Sequence, residues 1–133
     1  MNCCYNTISD TTFEMTLKSS MEKIIKKLGY GYRESIYQNA LAHELRNIGY
    51  NVKKEFNVSV FYENVEVGVV RLDLLIDDRY IIEFKAISKI TDKEKNQLKR
   101  YLKLTANLSS YENEGYLINV SFKEFEIQKF SFR

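Results

Sequence analysis

The sequence predicts an α/β domain: a mixed β-sheet of about five strands flanked by helices, in the order α-α-β-β-β-α-β-β. Three observations predict it. Apolar residues recur at helical spacing over the first third of the chain and again near residue 100. Between and after those stretches they alternate with polar residues, the period of strands with one face on a core. A helix between the third and fourth strands implies a crossover connection, hence a mixed sheet flanked by helices.

At 133 residues the chain is long enough for one domain with its own core. It contains no proline, no low-complexity tract and no internal repeat that would mark a linker. Residues 1–10 are read as an N-terminal tail and 11–133 as the domain. The first helix is predicted over Thr11–Leu28, with Phe13, Leu17, Met21, Ile24, Ile25 and Leu28 on one stripe. Ser9 or Asp10 could cap it, and Gly29 stops it. The second helix runs from Arg33 to Ile48, buries Tyr37, Leu41, Leu45 and Ile48, and ends at Gly49.

Phe56, Val58 and Val60 alternate with polar residues in a first strand over Lys53–Tyr62, and Glu63-Asn64 is a turn. Val65–Ile76 is the second strand, where Gly68 suggests a bulge or a close backbone approach. Tyr80–Ala86 is the third. Thr91 and Glu94 form a capping box for a third helix over Asp92–Leu104, with Leu98, Tyr101 and Leu102 facing inward. Thr105–Glu114 reads as irregular, Tyr116–Val120 as a buried strand and Phe125–Phe132 as an edge strand.

The hairpin RLDLLIDDRYIIEFKA, residues 71–86, organises the rest. Leu72, Leu74, Ile76, Tyr80, Ile82 and Phe84 share one parity; Asp73, Glu83 and Lys85 share the other. A one-residue slip in pairing would invert every side chain. Pairing Ile76 with Tyr80 across a three-residue loop keeps the apolar sets together and sets Asp73 opposite Glu83. That loop needs a left-handed residue, supplied without glycine by Asp78 or Arg79, and aspartate tolerates the conformation better.

Facing carboxylates repel, by up to about 1 kcal/mol even on an exposed sheet. Buried, one must protonate or a cation must lie between them. A hard divalent ion suits oxygen donors that leave room for water and phosphate. The other reading is a solvated hairpin face on which Lys85 neutralises Glu83. Glu34 points to the same side as Tyr37 and Leu41, and either enjoys the first turn of its helix or reaches across to the hairpin. Gln97, one turn before Tyr101, is placed to face the hairpin. His43, off the apolar stripe, is expected at the surface.

A formal charge of +2 is too small to require a polyanionic partner, so any basic patch must come from distribution. Lys95, Lys99, Arg100 and Lys103 load the third helix with positive charge that could attract phosphate. No apolar run approaches the ~18 residues of a membrane span. The N-terminus lacks a signal-peptide pattern, and an intracellular, non-secreted protein is expected. Cys3 and Cys4 are adjacent and have no second Cys/His cluster to join, so neither a disulfide framework nor a Cys metal site is expected.

Asp73, then Glu83-x-Lys85 on the next strand, with helical Glu34 before and helical Gln97 after, resembles the PD-(D/E)xK nuclease superfamily. The phrases LGYGYRESIYQNALAHELRNIGY (Gly31, Glu34, Tyr37, Leu41, Glu44, Leu45, Gly49), Glu55, Tyr62, VGVVRLDLLIDDRYIIEFKA, QLKRYLKLT and GYLIN resemble, more narrowly, its small GxxExxY proteins. The chain departs from that pattern at Leu72, Asp78, Glu94 and Val120. The resemblance implies a restriction-endonuclease-like fold and a metal-dependent phosphodiesterase. Asp73, Glu83 and the backbone carbonyl of Phe84 would hold Mg²⁺ or Mn²⁺, with Glu34 ligating directly or through water. Lys85 would position the attacking water and Gln97 would steady the site. The expected partner is nucleic acid, DNA in the first instance. The alternatives are a catalytically inactive nucleic-acid- or protein-binding module on the same fold, and an assembly subunit that forms a homodimer through the edge strand Phe125–Phe132.

Overall fold

The computed structural model describes residues 2–131, with side chains from Thr12 onward. Its elements are α1 (Asn2–Leu28), α2 (Glu34–Ile48), β1 (Val52–Tyr62), β2 (Val65–Ile76), β3 (Tyr80–Lys85), α3 (Asp92–Leu104), β4 (Glu114–Val120) and β5 (Phe125–Ser131). The order is the expected one. Helix α1 starts at Asn2 rather than Thr11, so Ser9 and Asp10 fall inside it. The side chains of Cys3, Cys4, Ser9 and Asp10 and the end of the predicted last strand at Phe132 lie outside the described residues. Among the described residues no helix is long and apolar enough to cross a membrane.

The strands form one sheet in the order β1-β2-β3-β4-β5. Neighbours are antiparallel except β3 and β4, which run parallel because α3 carries the chain across the sheet between them. Two apolar clusters follow. Phe13, Leu17, Met21, Tyr37, Leu41 and Leu45 of α1 and α2 pack with Leu74, Ile76, Tyr80, Ile82, Phe84, Tyr116 and Ile118. Leu98 and Leu102 of α3 pack with Leu72, Leu75, Ile81 and Leu117. The sheet is thus sandwiched between α1/α2 and α3. Leu28 and Ile48, assigned above to buried stripes, end their helices and stay exposed.

Local chemistry sets the element ends. Gly49 closes α2 in the left-handed conformation (φ +119°), its N–H bonding the carbonyls of Leu45 and Arg46. Thr91 and Glu94 make the expected capping box. Helix α3 lies so close to β4 that a Cβ on Gly115 would come within 2.9 Å of Leu98 Cδ1. The irregularity expected near Gly68 is a bulge: Val60 pairs with Gly68 and Phe61 with Glu66, leaving Val67 extra. A side chain at Gly68 would meet nothing, so the close-approach alternative does not hold.

Candidate active site

Ile76 pairs with Tyr80, the register that places Asp73 opposite Glu83. The loop reaches it with two left-handed residues, Asp77 (φ +52°) and Asp78 (φ +55°), and Arg79 is not among them. Each aspartate is held by a bond: Asn51 N–H donates to Asp77 Oδ1 at 2.8 Å and Lys53 Nζ to Asp78 Oδ1 at 2.8 Å. Asp enters this region more readily than most residues, and here partners from around the start of β1 fix both side chains.

Beyond Leu74–Ile82 the backbone ladder between β2 and β3 ends. Two carboxylates take its place. The N–H of Asp73 donates to Glu83 Oε2 at 2.7 Å, and the N–H of Phe84 donates to Asp73 Oδ2 at 2.8 Å. Each acidic side chain is clamped by the other's strand. On the other side of β2, Glu55 is the unpaired residue facing Asp73 and is left-handed (φ +52°). This kink has a visible effect on packing. Leu72 joins the α3 cluster and Leu74 the α1/α2 cluster, although two residues along a regular strand share a face. On β1 the same switch separates Val52 from Phe56 and Val58. Asp73 therefore sits where β2 changes faces, at a fork between the two helical layers.

Both layers contribute to that fork. From one side comes Glu34, the first residue of α2, which accepts a hydrogen bond from the backbone of Ala86. Its position depends on the loop before it. Gly31 adopts φ +104°, a conformation glycine enters without strain. Buried Tyr37 holds the loop from beneath, its hydroxyl accepting from Tyr32 N–H at 3.2 Å and donating to Gly29 O at 2.8 Å. This gives the Gly31, Glu34, Tyr37 spacing a physical meaning. From the other side comes Gln97 on α3, whose Oε1 accepts from Lys85 Nζ at 3.0 Å.

Glu83 is buried, at 4 % exposure, so it does not lie on a solvated face. Burial, then the neighbouring Asp73 charge, pushes its carboxyl up to about 8, against the opposing Asp73 N–H bond and Lys85. Burial also raises Asp73, with Glu55 adding to the rise and the Phe84 N–H, Lys85 and Arg71 opposing it. Glu34 is raised by burial and by Asp73, against Lys85 and the Ala86 bond. One residue assigned above only to packing belongs here. The Tyr101 hydroxyl bonds Gln97, and its pKa is raised by burial and by the charges of Glu83 and Asp73. Its i, i+4 spacing from Gln97 was the available signal.

The basic residues of α3 spread along its solvent side. At about 100° per residue, Lys95, Lys99 and Lys103 follow one another at i, i+4 along one stripe, which faces β5 at Lys95 and Lys99. There Lys99 Nζ lies 6.0 Å from the Phe130 ring centre, and Lys95 borders a cavity of about 460 Å³ with Asn119 and Gln128. Arg100 lies on the Gln97 side and acts electrostatically on Tyr101. Lys103 is exposed. His43 is exposed, with Nε2 3.2 Å from Asn47 Nδ2, as expected of a surface histidine.

Among the described residues, no three or more His, Cys, Asp or Glu side chains are grouped closely enough to hold an ion by themselves. Glu34, Asp73 and Glu83 thus do not form a ready three-carboxylate ligand set. The pair Asp73–Glu83 still fits a hard cation. Their Oδ2 and Oε2 serve the backbone, which leaves Oδ1 and Oε1 as donors, and Mg²⁺ commonly takes one or two carboxylates with water and phosphate completing its shell.

Neither the comparison with curated proteins nor that with solved structures gave a match. A family profile, that of the PD-(D/E)XK nuclease superfamily, matches residues 11–130. That span contains the sheet except for the last residue of β5, all of α2 and α3, and every side chain at the fork. The chain belongs to the PD-(D/E)XK nuclease superfamily.

Proposed function

We propose that this chain is a metal-dependent nuclease of the GxxExxY kind, hydrolysing phosphodiester bonds of DNA with a water molecule as nucleophile. The observation that carries the reading is the buried pair Asp73–Glu83, each held by the opposite strand's backbone and each pushed toward protonation. Without a cation this arrangement costs free energy. A binding surface for phosphate has no use for it, since two carboxylates repel the ligand.

Asp73 Oδ1, Glu83 Oε1 and the Phe84 carbonyl would hold Mg²⁺ or Mn²⁺, with Glu34 ligating through water. When bound, the ion would acidify a water molecule and neutralise charge developing on the phosphate. Lys85 orients the attacking water and stabilises the transition-state phosphate, a contribution that is largest when the group is fixed beforehand. Gln97 supplies that fixation by accepting the ammonium's hydrogen bond at 3.0 Å, and Tyr101 in turn holds Gln97.

The test is a cleavage screen on end-labelled single-stranded, duplex and branched DNA with Mn²⁺, for the wild-type protein and Lys85→Ala. The expected result is cleavage by the wild type, abolished by chelator, and a loss of at least about 100-fold in Lys85→Ala. Equal cleavage by Lys85→Ala removes this residue from the mechanism. Absence of Mn²⁺-dependent cleavage on all three substrates overturns the nuclease reading.

A further inference from the structure

A cleft of about 240 Å³ opens beside the fork, bordered by the Gly31–Tyr32 loop, by Ala86–Ser88 after β3 and by the β4–β5 turn. Ala86 links it directly to the site, for its backbone bonds Glu34 and it follows Lys85 in the chain. Two aromatic rings from separate loops line this cleft. Tyr32 is 47 % exposed and Phe122 is 76 % exposed. Neither is needed for the core.

Each ring projects from a hydrogen-bonded loop. Tyr32 N–H is fixed by the Tyr37 hydroxyl, and its ring meets Tyr37 edge-on at 6.2 Å. Phe122 projects from a turn in which Ser121 accepts from the Lys123 and Glu124 N–H groups, while its own hydroxyl donates to Glu124 O at 3.0 Å. The wall between them is pinned by Asn119, whose amide both accepts from Ile87 N–H at 3.0 Å and donates to Ile87 O at 2.9 Å. Lys123 adds a positive charge 5.8 Å from the Phe122 ring centre.

We infer that this cleft holds one unpaired base of a DNA strand whose neighbouring phosphate lies at the fork, so that the substrate is single-stranded or locally unpaired. The inference rests on the nuclease reading and names its substrate class. A planar base offers two faces to aromatic rings only when it has left its stack. Held aromatic rings with an adjacent cation are the recurring device for gripping single strands without regard to sequence. The cleft has the volume of one ring system and cannot admit a base pair still stacked in a duplex.

The experiment is fluorescence anisotropy with a labelled oligo(dT) strand, the same strand carrying abasic positions, and a blunt duplex, all in Ca²⁺ buffer. The proteins are wild type, Tyr32→Ala, Phe122→Ala and the conservative Tyr32→Phe, each checked for folding by circular dichroism. The wild type is expected to bind the single strand at least about tenfold tighter than the duplex. Each alanine variant should lose at least about fivefold on oligo(dT), nothing on the abasic strand, and Tyr32→Phe should bind like wild type. Folded alanine variants with wild-type affinity for oligo(dT), or an equal loss on the duplex, overturn the inference. Cleavage in Mn²⁺ is scored separately. Ring-dependent binding without cleavage removes the nuclease reading and leaves the cleft; cleavage without ring-dependent binding does the reverse.

Discussion

Replacing Glu83 by glutamine should stabilise the metal-free protein, increasingly as pH rises from about 4.5 to 8. Burial and Asp73 carry the Glu83 carboxyl from an ordinary 4.5 to about 8. The folded state therefore holds that proton more tightly than the unfolded chain does. The associated stability is complete below about pH 4.5 and is lost as pH rises through 8. At 1.36 kcal/mol per pH unit, the gap amounts to about 5 kcal/mol, or about 3 kcal/mol if the pair shares the penalty. Glutamine keeps a carbonyl to accept the Asp73 N–H bond and cannot ionise. Urea melts in chelator at pH 5, 6.5 and 8.5 measure the effect through the midpoint at constant slope. Wild type should lose stability steadily across that range, while Glu83→Gln stays level and ends about 3–5 kcal/mol above it. A wild-type protein whose stability holds level from pH 5 to 8.5, or a variant that tracks it, would refute the reasoning.

Two further outcomes follow from the geometry around the fork. Tyr37→Phe removes the hydroxyl that bonds both Tyr32 N–H and Gly29 O; it should cost about 1–3 kcal/mol in urea melts and lower cleavage by loosening Glu34. Arg100→Ala should weaken DNA binding and reduce its salt dependence by about one unit of slope, whereas Lys99→Ala, on the β5 flank, should leave that slope nearly unchanged; anisotropy over a salt series separates them.

Much of this site was legible in the chain. The alternation on either side of Asp77-Asp78-Arg79 favoured one register, because a one-residue slip would have put Leu74 and Ile76 on the opposite face from Tyr80 and Ile82. That register places Asp73 against Glu83, and the helical positions of Glu34 and Gln97 then point to the same end of the hairpin. The kink was not legible. Nothing in the letters around Glu55 announces a left-handed glutamate, since glutamate has no side-chain preference for that region. Without the kink, Leu72 and Leu74 were expected on one face, and they lie on two.

Other features were not legible either. Tyr101 was counted as apolar packing because periodicity records where a ring lies and says nothing of its hydroxyl. Tyr32 and Phe122 are about 90 positions apart and come together only through the fold.

The convergence of Asp73 and Glu83 on one cation is tested most directly by calorimetric titration of Mn²⁺ at pH 7 in buffers of different ionisation heat. One ion should bind, with release of about one proton as Glu83 gives up the proton it holds below pH 8, and Asp73→Asn should abolish the heat. Titration of folded wild-type protein with no binding heat, or with an isotherm that Asp73→Asn leaves unchanged, would contradict the account.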